Sequence, residues 1–360
     1  MWVNKQERSA HIMSFNNTTA AVFNGGCYSV RCIFSFTENS IIAAAFFAVV
    51  IVSLTGNIST CYVILTRKQL RSTASISTFN LALSDLLVTI VCAPVITIDI
   101  YVAKRWIFGE ALCKIVPVVQ KMSVNASIIN LFVVSLEKFM AICFPFCFRA
   151  RKKSFVYGIP FVWLLAIALA APLAKYRQLI VTPSTSYCIT VFPDVKTSRI
   201  FSVIYTLTFF IPLIMMICLQ LTTIHSLSKR GITANISYMS QHNIRRKKAA
   251  VVLVIVMLSF LACWTPIYLL AMLNTFSEVM QSMNIKTVNV VYAVFTWMFY
   301  ACAAVHPLIY FLMTPQGSNS LKRFRGTNGQ KARRRLISKP STAGSNVGGS
   351  FLLFTRESRV

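Results

Sequence analysis

The chain has 360 residues, of which 56% are hydrophobic and only 12% are charged. Soluble proteins carry about twice that charged fraction, and the mean hydropathy of +0.65 also indicates a membrane protein. The net charge of +27 does not indicate a partner made of nucleic acid, because the basic residues lie in short stretches between apolar segments and not on a polar domain.

Seven apolar segments are long enough, at about 20 residues, to cross a bilayer, and this number argues against a soluble helical protein. We therefore predict an all-α membrane protein, a seven-transmembrane helix bundle over residues 40–314, with an N-terminal segment at 1–39 and a tail at 315–360. In chain order the segments lie near residues 40–65, 76–101, 111–143, 155–174, 200–225, 249–273 and 288–313.

The distribution of basic residues predicts the orientation. Joining loops one, three and five carry thirteen Lys and Arg residues, against about seven in the other three loops, and ten more lie in the tail. The positive-inside rule places the N-terminus outside and the tail in the cytoplasm. The third inner loop is expected at about 226–247. In the tail, Leu321–Phe324 predicts a short amphipathic helix and Lys331–Arg335 suits anionic membrane lipid.

Two kinds of modification are predicted on the outer side. Asn16 and Asn17 each begin an Asn-x-Thr sequence, and are predicted glycosylation sites. Cys113 and Cys188 both face the oxidising compartment and are expected to form a disulfide. Cys27 and Cys32 are also external and could close a small loop.

Several polar residues lie in apolar segments, where such groups usually face the bundle interior. Asn57 is either a bond between helices or a functional group. Lys138 lies 25 residues after Cys113, about 37 Å of helix, which places Lys138 and its neighbour Glu137 at the inner rim of the membrane. There they are either an interfacial anchor or a functional pair.

The motifs, in order along the chain, resemble those of the rhodopsin-like (class A) G-protein-coupled receptors over about residues 40–325. The stretch from Leu112 to Val124 is most similar to the neuropeptide-receptor branch, near the RFamide, orexin and neuropeptide Y types. The matching motifs are Gly56-Asn57, Asn80-Leu-Ala-Leu-Ser-Asp85, Trp106-Ile-Phe-Gly109 before Cys113, Trp163, Pro212, Cys263-Trp264-Thr265-Pro266 and His306-Pro307-Leu-Ile-Tyr310.

The resemblance implies a ligand pocket in the outer half of the bundle. Gln120 occupies the position where amine receptors have an aspartate, so an amine would lack its counter-ion. The span at 288–313 has no lysine to bind retinal. Asp99 is suited to a ligand arginine or a basic amidated end, while each tyrosine could equally be a packing residue. The candidate ligand-binding residues are Gln120, Asp99, Tyr268, Tyr292, Thr296 and Tyr300.

The resemblance also implies a two-state activation switch, in which an outward swing of the sixth span near Pro266 opens a cleft for a G protein. Its candidate residues are Asp85, Ile128, Glu137, Lys138, Pro212, Phe260, Trp264, Pro266, His306, Pro307 and Tyr310.

Three residues of the inner half depart from the family pattern. Lys138 replaces an arginine, and an ammonium cannot make the planar bidentate contacts of a guanidinium. Gln220 replaces a tyrosine, and His306 replaces an asparagine. We expect His306 to face Asp85 in place of a sodium ion, either as a charged, pH-sensitive partner or as a neutral hydrogen-bonding group.

These features predict a multi-pass plasma-membrane receptor that binds an extracellular peptide and signals through a heterotrimeric G protein, with arrestin, a receptor kinase and membrane lipids as further partners. Because of the changes at Lys138, Gln220 and His306, a ligand-sequestering receptor without signalling is the alternative. A transporter would need a longer line of ionisable residues. No cofactor, catalytic residue or metal site is expected, since the four histidines form no metal or triad spacing.

Overall fold

Seven long apolar helices make up most of the part of the chain that the structure describes. The structure is a computed structural model, and it describes residues 33–66, 73–144, 146, 158–183, 185–233, 237–277 and 282–313. The predicted features at Asn16, Asn17, Cys27, Cys32, Leu321–Phe324 and Lys331–Arg335 lie outside these residues. Within them, each helix is long and apolar enough to cross a membrane, and the prediction of a seven-helix bundle is confirmed.

The seven helices follow the predicted order and extend beyond most of the predicted limits. The second is α-helical to Leu87 and continues to Val102, and the fourth continues from Pro172 to Tyr176. We label the main α-helical segment of each span α1 (Phe36–Thr66), α2 (Thr73–Leu87), α3 (Gly109–Cys143), α4 (Ile159–Ala170), α5 (Val195–Thr233), α6 (Ser237–Phe276) and α7 (Ile285–Met313).

Hydrogen bonds from side chains fix where two helices begin. Before α1, the Ser35 backbone N–H donates to the Glu38 carboxylate at 2.8 Å, and the Glu38 N–H donates to the Ser35 hydroxyl at 3.2 Å. This reciprocal capping box satisfies two backbone donors that a helix start leaves free. Before α5, the Thr197 N–H donates to Asp194 at 2.7 Å, and this hydrogen bond holds the pKa of the Asp194 carboxyl below its usual value.

The outer half of the second span is not a regular α-helix. After Leu87 it passes through a π-helical turn at Val88–Cys92, an α-helical turn at Ala93–Thr97 and a second π-helical turn at Ile98–Val102. Pro94 lies in the middle turn, and proline has no N–H to donate to the preceding turn. The wider turns set the direction of Asp99, which lies in the second of them.

The third inner loop is shorter than the sequence predicted. The expected loop at about 226–247 was wrong, because α5 continues to Thr233 and α6 begins at Ser237. Polar residues beyond the membrane boundary ended the apolar pattern, but they do not end a helix, since Lys, Arg and Gln are good helix formers.

An antiparallel hairpin lies between α4 and α5. Strand β1 (Arg177–Val181) pairs with β2 (Ser186–Thr190), with Arg177 opposite Thr190 and Leu179 opposite Cys188. Cys188 forms a disulfide with Cys113 at the start of α3, which confirms the predicted bridge. The disulfide therefore attaches the hairpin to the outer end of the bundle.

The apolar residues divide between a packed interior and an outer surface. Phe46, Ile128, Phe209 and Val256 are almost fully buried, and helices throughout the bundle contribute to the same core. Other large apolar side chains remain exposed, as the lipid-facing side of a membrane protein requires; Ile51, Leu164 and Ile214 are 62%, 66% and 58% exposed. By its internal contacts the chain divides into one unit at Met1–Leu312 and a second at Met313–Val360, of which the structure describes only Met313.

Candidate functional site

Two of the predicted pocket residues join α3 to α7. The Tyr300 hydroxyl donates a hydrogen bond of 3.4 Å to the side-chain oxygen of Gln120. Tyr300 is only 3% exposed, and its ring packs edge-on against Phe299 at 4.8 Å between centroids. Thr296 lies one helical turn from Tyr300 and is half-buried, so that α7 presents both side chains on one face.

Tyr268 of α6 binds Lys121, which was not among the predicted pocket residues. Its hydroxyl accepts a hydrogen bond from the Lys121 ammonium at 2.9 Å, and its ring stacks on Phe209 at 4.7 Å. Lys121 also lies 4.2 Å from the centroid of the Tyr205 ring and is 7% exposed. The signal for Lys121 was present in the sequence, because a lysine in an apolar span usually faces the bundle interior.

The remaining pocket candidates lie near the hairpin. Asp99 is 5% exposed and, with Tyr292 and Tyr300, lies within electrostatic range of Arg177 on β1. Residues two apart in a strand share a face, so Arg177 shares a face with Leu179. Leu179 lies directly opposite Cys188, and opposite residues also share a face. Arg177 therefore lies on the same face of the hairpin as Cys188. That face points toward Cys113 and the bundle. Tyr292 is 47% exposed and is less enclosed than Tyr300.

Arg177 brings a second cation to the pocket. One of its terminal nitrogens donates to the Cys188 carbonyl at 3.5 Å. Burial lowers the pKa of the guanidinium, and Tyr292, Tyr205 and Asp99 oppose that shift. Because arginine is fully protonated at neutral pH even when its pKa falls, Arg177 remains a positive charge. No sequence pattern indicated Arg177, because the strand pairing of the hairpin decides which way its side chain points.

The hairpin is held to the loop before α3 by more than the disulfide. The Trp106 backbone N–H donates to the Ser186 carbonyl at 2.9 Å, and the Ser186 hydroxyl donates to the Trp106 carbonyl. The Trp106 indole donates to the Gly109 carbonyl at 2.7 Å. Gly109 has a φ of +75°, a conformation that strongly favours glycine, so the Trp-Ile-Phe-Gly sequence forms a fixed turn.

A chain of aromatic rings connects the pocket with the inner half of the bundle. The Trp264 ring lies 3.9 Å from Phe299 and 6.4 Å from Phe260, measured between centroids. Phe260 in turn lies 4.7 Å from the His306 imidazole. Ile128 is 1% exposed, while Pro212 and Pro266 are half-buried. Aromatic rings therefore lie one after another from Phe299 through Trp264 and Phe260 to His306.

The structure places His306 against Asp85. The imidazole Nδ1 and the carboxylate Oδ2 are 2.8 Å apart, and the side chains are 2% and 8% exposed. The other imidazole nitrogen lies 3.4 Å from the Cys302 sulfur. Nearby, the hydroxyls of Ser127 on α3 and Ser84 on α2 share a hydrogen bond of 2.6 Å.

The first span is joined to the seventh close to this pair. The Asn57 amide donates to the Ala303 carbonyl at 2.9 Å, so Asn57 forms a hydrogen bond between α1 and α7. A Cβ at Gly56 would lie 2.6 Å from the Cγ of Pro307, and only glycine leaves room for that ring. Tyr310 lies one turn beyond Pro307 and is half-buried.

At the inner end of the bundle, Glu137 is 8% exposed and Lys138 is half-buried. The Glu137 carboxylate lies within electrostatic range of the Lys138 ammonium. Gln220 of α5 is fully buried, and among the described residues neither its amide nitrogen nor its amide oxygen has a hydrogen-bond partner. These three residues lie in the region where the sequence departs from the family pattern.

Comparison with known proteins agrees with the seven-helix fold. Residues 56–310 match the family described as "7 transmembrane receptor (rhodopsin family)". The neuropeptide FF receptor 2 of Rattus norvegicus is 27% identical over 289 residues, which cover 75% of this chain and 69% of the relative. The substance-K receptor of Mus musculus is 27% identical over 276 residues, covering 74% of this chain and 71% of the relative.

Proposed function

The chain belongs to the rhodopsin family of seven-transmembrane receptors, and on that premise we propose that it binds an extracellular peptide and transmits the signal to a heterotrimeric G protein. It is a multi-pass protein of the plasma membrane. One of the similar proteins is named as a receptor for a neuropeptide and another as a receptor for substance K. Both names favour a signalling receptor over a ligand-sequestering one.

The composition of the pocket supports a peptide ligand. Gln120, Tyr268 and Tyr300 combine aromatic surface with hydrogen-bonding groups, and such a mixture suits backbone amides together with apolar side chains. Gln120 supplies an amide where a ligand amine would need a carboxylate. We include Asp99, Tyr292 and Thr296 in the binding site because they lie nearer the outer end of the same bundle.

The observation that carries the signalling proposal is the series of neighbouring aromatic rings that runs from the pocket to His306 near the membrane centre. Phe299 neighbours the pocket residue Tyr300 and packs on Trp264, and Phe260 links Trp264 toward His306. An agonist that changes the packing of Phe299 changes the relative stability of two arrangements of α6 and α7. This is the differential contact that a ligand needs to shift a two-state equilibrium.

The inner end of the bundle is where we place the G protein. In the proposed switch, Glu137 interacts with Lys138 in the inactive state and Lys138 contacts the G protein in the active state. Because a lysine contact is less directional than an arginine contact, coupling is weaker than with arginine. Arrestin and a receptor kinase are proposed to act on the serine-rich tail, and membrane lipid on its basic cluster.

The test is second-messenger output from cells that express the native chain or Lys138→Arg, exposed to a neuropeptide library. We expect a peptide response in the native chain and a larger maximal response in Lys138→Arg at equal surface expression. An equal or smaller response in the variant contradicts the proposed role of Lys138. Silence of both at confirmed surface expression, across amidated and free-acid peptides, contradicts the peptide-receptor proposal.

A further inference from the structure

The outer pocket contains a buried lysine whose hydrogen-bonding capacity is only partly used. Lys121 is 7% exposed, donates to the Tyr268 hydroxyl at 2.9 Å and reaches the Tyr205 carbonyl at 3.4 Å. Its ammonium lies 4.2 Å from the Tyr205 ring centroid and 5.4 Å from that of Tyr268. Within the described residues it has no carboxylate partner, although ring faces stabilise its charge.

Other hydrogen-bond donors around this lysine also lack acceptors. The Tyr205 hydroxyl and the Arg177 Nε are both buried and have no hydrogen-bond partner in the described structure. Arg177 lies within electrostatic range of Tyr205, whose ring is in contact with the Lys121 ammonium. Lysine and arginine only donate hydrogen bonds and a tyrosine hydroxyl can donate one, so the pocket has a surplus of donors.

The carboxylates of the outer half do not remove this surplus. Glu110 pairs with Lys114 at 2.6 Å, and Glu38 pairs with Lys286 at 3.1 Å. Asp194 accepts two hydrogen bonds from Thr197. Asp99 is the acid that lies within electrostatic range of Arg177. Two cations, Lys121 and Arg177, therefore face one carboxylate in the described part of the pocket.

Burying a donor without an acceptor is unfavourable, and a ligand that supplies the acceptor removes that cost. Two carboxylate oxygens offer about four acceptor sites. We infer that Lys121, together with Tyr205 and Arg177, binds a carboxylate of the ligand. This inference rests on the proposed function for the identity of the ligand as a peptide, and it names the chemistry that the peptide presents at α3.

A peptide can supply the carboxylate from its free C-terminus or from an Asp or Glu side chain. The two sources share the chemistry that Lys121 recognises. An amidated peptide without an acidic residue has neither, and would leave Lys121 without an anionic partner. The inference therefore predicts which members of a peptide library bind.

Ligand fragments test the inference directly. The purified full-length receptor is heated in the presence of N-acetylphenylalanine, N-acetylphenylalanine amide or N-acetylaspartic acid α-amide, with equal sodium in every sample. We expect one or both carboxylates to raise the apparent Tm, and the uncharged amide to leave it unchanged. A shift with the first acid indicates a C-terminal carboxylate, and a shift with the second indicates an acidic side chain. Equal shifts with acid and amide, or no shift with either acid, overturn the inference.

Variants of three basic residues identify the site. In Lys121→Gln we expect carboxylate binding to weaken at least tenfold, and in Lys121→Arg to be retained. Arg177→Gln, outside the membrane spans, should weaken it as well and provides the test if Lys121→Gln does not fold. Lys114→Gln removes an exposed lysine of the same helix and should bind as the native chain does. Unchanged binding in both Lys121→Gln and Arg177→Gln overturns the inference.

The fragment experiment separates this inference from the proposed function, because it does not depend on signalling. A receptor that responds to amidated peptides without acidic residues, and binds neither acid fragment, remains a peptide receptor but has no carboxylate site at Lys121. If the receptor binds the acid fragment through Lys121 but responds to no peptide, the carboxylate site is supported and the peptide ligand is contradicted.

Discussion

The side chain of His306 determines what can lie beside Asp85. A carboxylate buried among helices needs a cation, a proton or a hydrogen-bond donor, and the imidazole Nδ1 at 2.8 Å occupies one side of it. Cys302 and the Ser84–Ser127 hydrogen bond provide little additional oxygen for a metal ion. We therefore predict that His306, and not a bound sodium ion, is the partner of the carboxylate.

Replacing His306 tests this arrangement. We expect the native protein to have the same apparent Tm in NaCl and in choline chloride at equal ionic strength. In His306→Asn the buried carboxylate has lost its imidazole partner, so sodium should raise the Tm by about 2 °C or more, roughly the effect of 1 kcal/mol in a chain of this size. The double variant Asp85→Asn/His306→Asn is the control and should not respond. An equal sodium effect in the native chain contradicts the prediction.

Gln220 is a buried polar side chain without a hydrogen-bond partner in the part of the chain that the structure describes. Both amide atoms are buried there without a hydrogen bond, and each such group costs about 1–3 kcal/mol. Met has a similar shape and no groups that require partners. We expect Gln220→Met to raise the apparent Tm of the purified protein by about 2 °C or more, measured by thermal denaturation in detergent.

Gln178→Met is the matched control, because Gln178 is exposed on β1 and its replacement should leave the Tm unchanged. A lower Tm in Gln220→Met would mean that Gln220 contributes to the stability of the folded state. In that case the Gln220 amide forms a hydrogen bond in the folded protein in solution.

The residues that the sequence predicted and those that it missed differ for a physical reason. Asp85 and His306 each had to face the interior, and their positions along two motifs indicated that they would meet. Lys121 was missed although it follows Gln120 directly, because the rotation of α3 decides which of two adjacent residues faces Tyr268. Arg177 was missed because its direction depends on strand pairing, which the sequence of a short loop does not specify.

At the scale of elements, the contact between α1 and α7 depends on the absence of a side chain at Gly56. A Cβ there would come within 2.6 Å of the Pro307 ring, and the Asn57 bond to Ala303 requires the same close approach. Two features of adjacent residues therefore fix one helix–helix distance. Pro307 has no flexible end that could move away, so a larger residue must separate the helices.

We expect Gly56→Val to reduce surface expression several-fold, because forcing extra atoms into a packed contact typically costs about 1–3 kcal/mol. Ile58→Val on the same helix is the control, since Ile58 is 54% exposed and should tolerate the change. Surface expression is measured by antibody staining of a tagged chain. Equal expression of Gly56→Val and the native chain would show that α1 and α7 are farther apart than the structure has them.

The helices themselves were well predicted by apolar length, and their ends were not. Hydropathy identifies the segment that lies in lipid, but α1 begins where Ser35 and Glu38 cap it, and α5 continues past the membrane to Thr233. The π-helical turns between Val88 and Val102 were not predicted either. Pro94 indicated an irregularity, but the width of the turns depends on how the second span packs.

For the whole molecule, the pattern of apolar segments was enough to predict seven membrane spans, and the external positions of Cys113 and Cys188 were enough to predict the disulfide. The orientation rests on the distribution of positive charge. With thirteen basic residues in three loops and ten in the tail, the positive-inside rule favours an external N-terminus. We therefore predict that the chain inserts in this one direction, whatever the details of helix packing.

Epitope tags at the two ends test the orientation. We expect an N-terminal tag to be stained on intact cells, and a C-terminal tag to be stained only after the membrane is permeabilised. Removing N-linked glycans should increase the gel mobility of the native chain but not of Asn16→Gln/Asn17→Gln. Staining of the C-terminal tag on intact cells would reverse the predicted orientation.

The attachment of the hairpin affects how fast a ligand leaves. Strand β2 is held at Ser186 by Trp106 and at Cys188 by the disulfide to Cys113, so it cannot swing aside as a free loop does on the nanosecond to microsecond timescale. A ligand that leaves the pocket must therefore pass strand β2 while that strand stays in place. We therefore expect residence time to increase with the bulk of the ligand, and chemical reduction of the disulfide to shorten it.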